Sequence, residues 1–369
     1  MASARATTLA QGFSQKLLKE MYDRSILDSI VNRDYQGEIN ARGSILNILN
    51  IARISEKDYT GADLVVDDLY ENNCVLTIDE YKSFYWKEKT LDNWLSYIKD
   101  PHSTVVTQKA DERLKNMDTF AFGKYGDVGA GNRVGTDNTT GTVAIDAAGA
   151  VTGAGCAFTA AMVGKGFRAA GHTKWYRIKS RAGADAIVIE DDEDDVASHY
   201  SGGVIGAGAT IRVEAATVVA ITTANLLEYV AALKLKLDEA EQFDHNSVPD
   251  TERWLIVPPR FESLLIRASG VALHVPEVYS GLVRKGFITE LDGFKVFKSN
   301  RLTGDNTDGY HVLAGHPNWM TFAEKVLESS IEEDLTANFG SAFKDLFVYG
   351  AKVADSRRHM ASELFCTFA

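Results

Sequence analysis

Cysteine is scarce: Cys74, Cys156 and Cys366 are the only three in 369 residues, and they lie far apart. That spacing makes neither a disulfide framework nor a zinc pattern, and a reducing cytoplasm fits it best. Long apolar runs are missing as well. None approaches the roughly 20 residues that span a bilayer, so no membrane role is expected. The opening residues, MASARATTLAQGF, hold one early arginine and no apolar stretch, unlike a secretory signal. Grouped positive charge is the third absence. Basic residues number 39 against 51 acidic ones, a net charge of -12, and the nearest thing to a cluster is Arg357 with Arg358. Proteins that grip nucleic acid neutralise phosphates with clustered Lys and Arg. Tight DNA binding is therefore not expected, although enclosing DNA without reading its sequence stays open.

Catalytic signatures are missing too. There is no G-x-S-x-G elbow, no Walker A loop and no H-E-x-x-H. Gly129, Gly131 and Gly135 are one residue off the dinucleotide spacing and lack a strand-to-helix setting, so they read as a linker. His311 and His316 are five apart, which is not one helix face, and read as core or loop histidines. The run Glu190-Asp-Asp-Glu-Asp-Asp195 has no EF-hand spacing. Six adjacent carboxylates read as a solvated loop rather than a calcium site. No catalytic residue, cofactor or metal is expected.

What is present is an ordinary globular composition, 45% hydrophobic and 24% charged, in a chain long enough for two or three domains. Residues 11–31 read as an amphipathic helix, with Phe13, Leu17 and Met21 at i, i+4, i+8, joined by Leu18 and Tyr22. It is either docked on its own core or projected as an arm onto a neighbour. Phe13, Leu17, Leu18 and Met21 would together supply on the order of 6–12 kcal/mol if buried on a partner, and the projecting arm is the preferred reading. Residues 36–89 hold two β-rich stretches, Ile45 to Ile54 and Cys74 to Trp86, around a turn-rich middle, the pattern of a long hairpin excursion.

Helices follow. Leu91, Trp94, Leu95 and Ile98 share a face until Pro101, and Ser103 is placed to cap a longer helix carrying Val106, Ala110, Leu114, Met117 and Ala121. From Gly123 to about Ala216 the chain turns rich in Gly, Ala, Thr and Val, with strands expected at Trp175–Lys179, Ala186–Glu190 and Thr210–Glu214. Such short strands between turns predict a small β module. A helix over Thr222–Gln242 comes next, with Asn225 and Glu228 at capping-box spacing. The strand Arg253–Val257 then runs into a proline-started helix, and further strands are expected at Phe294–Phe297, Tyr310–Ala314, Leu346–Val353 and Glu363–Phe368. The fold class is α+β with an inserted β module.

This order of elements resembles the tailed-phage major capsid proteins of the Hong Kong 97-type fold, over essentially the whole chain. Asn32-Arg-Asp-Tyr-Gln-Gly37 followed by Gly43 is similar to the entry into that family's extended loop, and Leu76-Thr-Ile-Asp79 with Tyr81 to its return strand. Ala314-Gly-His-Pro317 leading to Phe322-Ala323, and Leu346-Phe-Val-Tyr-Gly-Ala-Lys-Val353, resemble its late strands. The resemblance implies an N-terminal arm (1–35), an extended loop (36–89) and a spine helix with peripheral domain (90–129). It further implies an inserted β-rich domain (130–220), an axial domain (221–315) and a peripheral return (316–369).

As function it implies hexamers and pentamers closing into an icosahedral shell around double-stranded DNA. Subunit contacts would fall on the arm residues Phe13, Leu17, Leu18 and Met21 and on the loop residues Ile54, Glu56, Lys57, Asp58 and Tyr59. Implied partners are a separate scaffolding protein, a portal and a decoration protein. The site of action would be the virion capsid, assembled in the host cytoplasm. Two alternatives stay open: an encapsulin-like compartment shell, and an enzyme with a β-domain insertion.

Overall fold

The computed structural model describes residues 15–21, 25–34, 45–51, 71–89, 101–192, 199–240, 247–269, 287–332 and 340–369. Its helices are α1 (residues 15–21), α2 (Pro101–Phe122), α3 (Leu226–Asp238) and α4 (Pro259–Ser269). An eight-stranded mixed sheet forms the middle of a three-layered sandwich. The strand Trp254–Val257 shows why the layers exist. It is buried at all four positions, Trp254 and Ile256 joining one core and Leu255 and Val257 the other. A strand covered on both faces reads as a continuous apolar run rather than an alternating one. On one face lie α1 and α2; on the other lie α3 and α4.

α2 buries Val106, Ala110, Leu114, Met117 and Ala121, the face its spacing predicts. It begins earlier than expected. Pro101 opens the helix, so Ser103 falls inside it rather than capping it. Proline suits a first turn, where its missing N–H has no intrahelical partner anyway. Asn225 does occupy the N-cap of α3, yet its side chain makes no cap bond. Its Oδ1 instead accepts from the Thr222 N–H at 2.7 Å, so the capping box is not formed. The expected helix over 91–98 lies outside the described residues.

Beside the sandwich runs a long three-stranded ribbon, Met320–Glu332, Gly340–Val353 and Glu80–Lys89, with the 14-residue strand central. Strands of 13 and 14 residues extend about 45 Å. The hairpin Phe287–Leu291 with Phe294–Lys298 turns on Asp292 and Gly293, at φ 50° and 84°. That pair is the residue choice a type I′ turn needs.

The β module is a closed ring. Thr142–Ile145, Ala150–Ala154, Ala186–Glu190, Tyr176–Gly183, Gly166–Ala169 and Ile205–Thr217 pair antiparallel in that order, and Ile205–Thr217 returns to the first strand. The long last strand closes the barrel because its early half pairs with 142–145 and its middle with 167–169. Its core of Val143, Ile145, Val151, Phe158, Phe167, Ile178, Ile187, Ile189 and Val213 is separate from both sandwich cores.

Its attachment is unusual. Arg133 and Val134 pair parallel with Glu363 and Leu364, while Val219, Ala220 and Ile221 pair parallel with Cys366, Thr367 and Phe368. The other edge of that C-terminal strand is taken by Gly309–Gly315, so both pieces lie along one edge. They make a single strand split between Gly135 and Val219, with the barrel looped out of the gap.

Candidate assembly surfaces

The excursion at residues 45–77 is anchored at its base. Ile45–Ile51 pairs with Glu71–Thr77 from Ile45↔Thr77 to Ile51↔Glu71. Among the described residues these two strands pair only with each other. Cys74, Leu76 and Ile78 pack on Ala323 and Val348 of the ribbon and on Ala354 just beyond it. Gly350 lies beneath the crossing: a Cβ there would stand 2.6 Å from the Thr77 carbonyl oxygen. A two-stranded ribbon is marginal alone in water, and this contact holds its root. After Thr77 the chain pairs with Gly340–Val353 instead, so the second stretch is two strands with two partners and not one return strand. Ile54, Glu56, Lys57, Asp58 and Tyr59 lie outside the described residues.

The arm corrects the preferred reading of the sequence. Leu17 and Met21 are fully buried in this chain's own core, with Ile26, Leu27, Ile30 and Val31, and Leu18 is half-buried against it. The segment is pinned by backbone bonds, Asn32 N–H to the Met320 carbonyl and Phe322 N–H to the Asn32 carbonyl, each 2.9 Å. Arg33 adds an ion pair to buried Glu324 at 2.5 Å. Leu17 and Met21 are thus closed off within this chain's own core. Phe13 lies outside the described residues.

The barrel meets the sandwich through buried charge. Arg133 on the split strand reaches Glu363 at 3.1 Å and Glu214 of the barrel at 3.8 Å, all three being buried. Glu214 also accepts from the backbone N–H of Arg133 at 3.1 Å and of Gly166 at 2.7 Å. Burial pushes the Glu214 carboxyl up, and Arg133 only partly offsets that. Burial acts on Glu363 in the same sense, but Arg133 and His311 outweigh it and hold this carboxyl low. His311 meets Glu363 at 2.5 Å, its ring stacked on Tyr125. His316 caps the turn Pro317–Trp319 by accepting from Asn318. Both histidines have core and loop work to do.

The acidic run is not simply a solvated loop. Asp191 and Asp192 are buried. Asp191 pairs with Lys174 at 2.5 Å and accepts from the Ser201 N–H at 2.8 Å. Asp192 accepts from the Ala130 N–H at 2.6 Å and meets Arg358 at 3.1 Å, a second clamp between barrel and sandwich. Residues 193–198 lie outside the described residues. Among the described residues no group of three metal-type ligands occurs, and no helix is long and apolar enough to cross a membrane.

Two open grooves are polar. One, about 700 Å3, lies between the exposed face of α2 (Gln108, Asp111, Glu112, Lys115) and Arg301; the other, about 560 Å3, is lined by Lys234, Asp238, Asp250, Arg253 and Asp292. Their charges are largely paired: Arg301 with Asp118 at 2.6 Å, Lys234 with Asp292 at 3.0 Å and Arg253 with Asp238 at 2.5 Å. Burial nonetheless pushes the Asp118 carboxyl up to about 6 against the pull of Arg301.

No family model and no curated protein matches the sequence. Solved structures do match the fold. One from Mycobacterium phage Che8 is 17% identical, covering 92% of this chain and 90% of that chain with a TM-score of 0.52. The capsid structure of the cyanophage P-SCSP1u is 13% identical, covering 94% of this chain and 89% of that chain with a TM-score of 0.50. The fold is that of a phage capsid protein. A virus-like particle from Pyrococcus furiosus aligns with a TM-score of 0.44 at 10% identity, over 96% of this chain and 98% of that chain, too loose a likeness to argue from. The buried charges at the barrel junction escaped sequence reasoning because Arg133, Glu214 and Glu363 are scattered along the chain.

Proposed function

We propose that this chain is the major capsid protein of a tailed bacteriophage, assembling into hexamers and pentamers of an icosahedral shell around double-stranded DNA. The observation that carries the reading is the shared fold, which extends over more than nine-tenths of the chain in both of those phage structures. In the Hong Kong 97-type arrangement α2 is the spine helix and the excursion is the extended loop. Residues 221–315, with α3 and α4, form the axial domain, residues 316–369 the peripheral return, and the barrel an insertion domain facing outward. A β excursion whose described strands pair only with each other suits a segment laid across a neighbour, where Ile54, Glu56, Lys57, Asp58 and Tyr59 would make contact. The arm keeps the subunit's own core closed instead.

A negative net charge without basic clusters suits a wall that encloses DNA by geometry rather than by affinity. Contacts that close on themselves are what such a shell requires. A separate scaffolding protein, a portal and a decoration protein are the partners of this reading, and the virion capsid its location after assembly in the host cytoplasm. The test is expression of the full chain with and without a scaffold, followed by size-exclusion chromatography and negative-stain microscopy. Closed shells or rings of five and six subunits are expected; a monodisperse monomer at high concentration in both cases would overturn the proposal.

A further inference from the structure

Two bodies meet at the root of the barrel, and the seam between them is largely polar. The barrel's core shares no residue with either sandwich core. Residues 129–134 stay with the sandwich. The Gly129 N–H donates to the Arg358 carbonyl at 3.0 Å, and the Asn132 side-chain amide to the carbonyls of His359 and Ala361 at 2.7 and 3.1 Å. Trp175 is a large apolar side chain of the barrel at this seam, set against Gly131, where a Cβ would stand 2.5 Å from its ring. Relative movement is the default expectation for domains joined through a polar interface.

The charges are sorted so that either body can keep its own. The barrel side carries two cations, Lys165 and Arg177, and two carboxylates, Asp192 and Glu214. The sandwich side carries three of each sign, Arg133, Lys236 and Arg358 against Asp127, Asp355 and Glu363. Docked, Arg358 meets Asp192 at 3.1 Å and Arg133 meets Glu214 at 3.8 Å. On release Arg133 keeps Glu363, 3.1 Å away, and Arg358 keeps Asp355. Asp192 keeps the charge of Arg177, and Glu214 that of Lys165. Separation therefore strands no charge and returns buried ions to water, which offsets the attraction lost. Cations also face each other across the seam. Burial, then the charge of Arg358, weaken the Arg177 guanidinium's hold on its proton, against the pull of Asp192 and Asp127.

The docked pose also holds a kink. Ala215 sits at φ 44°, a left-handed conformation that a side chain disfavours, where the register against 136–138 slips between Val213 and Thr217. Beside it lie the two connections to the split strand, Gly135 and Val218. We infer that the barrel has two positions, docked and released, and moves between them as a rigid body on Gly135 and Val218, with the seam charges as its latch. This goes beyond the capsid reading and does not depend on it.

Distances between spin labels on the dispersed full chain supply the test. The native cysteines are buried, so labels go to Thr152→Cys on the barrel wall and Ser263→Cys on α4, both exposed positions. One dominant distance is expected, with a second below about 10%. Asp192→Asn keeps an acceptor for the Ala130 N–H but leaves Arg177 and Arg358 facing each other. The ratio of released to docked barrel should then rise roughly tenfold. Adding Arg177→Gln removes the repulsion and should bring the ratio back. Amide exchange at Ile187 and Ile189, in the barrel core, should stay equally slow in all three chains. The same single distance throughout, or a double variant that does not return, would overturn the inference. So would a second distance that comes with lost protection, because the barrel would then be unfolding rather than moving.

Discussion

The barrel and the sandwich solve the same burial problem in opposite ways. The sandwich draws its cores from the whole chain: residues 17 to 31, 106 to 128 and 254 to 361 meet in one cluster. The barrel is local, its core drawn from residues 143 to 213. Closure leaves its six ring strands without a free edge, whereas the sandwich sheet ends in the short split strand from which the barrel emerges. A local, closed unit joined through buried charge can keep its own cooperativity; a unit assembled from distant pieces cannot lose one of them cheaply.

The sharpest way to break that comparison is through the arm. Leu17→Asp combined with Met21→Asp puts two carboxylates into a closed core, which costs more than about 5 kcal/mol. In calorimetry the sandwich transition should disappear while the barrel's survives. Phe167→Ala is the mirror experiment. It should remove about 3–5 kcal/mol from the barrel, with the sandwich transition displaced far less.

Protonation should separate the two regions in sign. Inside the barrel His172 is held neutral by burial, its pKa pushed down to about 4. Nδ1 accepts from the Ala169 N–H at 3.2 Å and Nε2 meets the Tyr200 hydroxyl at 2.7 Å. The folded barrel thus refuses a proton that the unfolded chain takes up near the ordinary value of 6.5. Its stability is full above that pH and falls as pH drops towards 4, by up to about 3 kcal/mol. In the sandwich Asp118 does the reverse. With its pKa raised to about 6 from 3.8, it keeps a proton that the unfolded chain releases. That contribution is full below about pH 4 and lost as pH rises through 6, again by up to about 3 kcal/mol. His172→Gln and Asp118→Asn should each flatten the pH dependence of one transition and leave the other's unchanged.

Smaller effects belong to the seam. Glu214→Gln removes one buried charge from the Arg133 cluster and should cost about 2 kcal/mol, widening the gap between the two transitions. Excising residues 136–218 and joining Gly135 to Val219 should disturb the sandwich least, because the two halves of the split strand already share one register along Glu363–Phe368. A soluble product with the sandwich transition within a few degrees is expected; aggregation would show that the barrel is integral to folding.

What could be read from the residues follows the same division. Periodicity marked α2 and three of the six ring strands because their burial is local and one-sided, as at Val106, Ala110 and Leu114 or Ile187 and Ile189. It could not say where the arm's apolar stripe would be satisfied. Leu17 and Met21 look alike whether they dock in the same chain or in another, and only the packing against α2 decides. The split strand and the Arg133–Glu214–Glu363 cluster depend on contacts across 80 to 230 residues, as in Arg133↔Glu363, which no local pattern carries. Asp191 and Asp192 misled for a related reason: six adjacent carboxylates look self-repelling until Lys174 and Arg358 arrive from elsewhere.

Cryo-electron microscopy of particles assembled from the full chain tests the central claim most directly, that a subunit closed within itself builds a shell through its excursion and outer faces. Density for residues 15–34 on the same subunit as α2, with the tip of the excursion lying across an adjacent subunit, is the expected result. Arms exchanged between subunits, or preparations holding no closed or ring-shaped assembly, would contradict it.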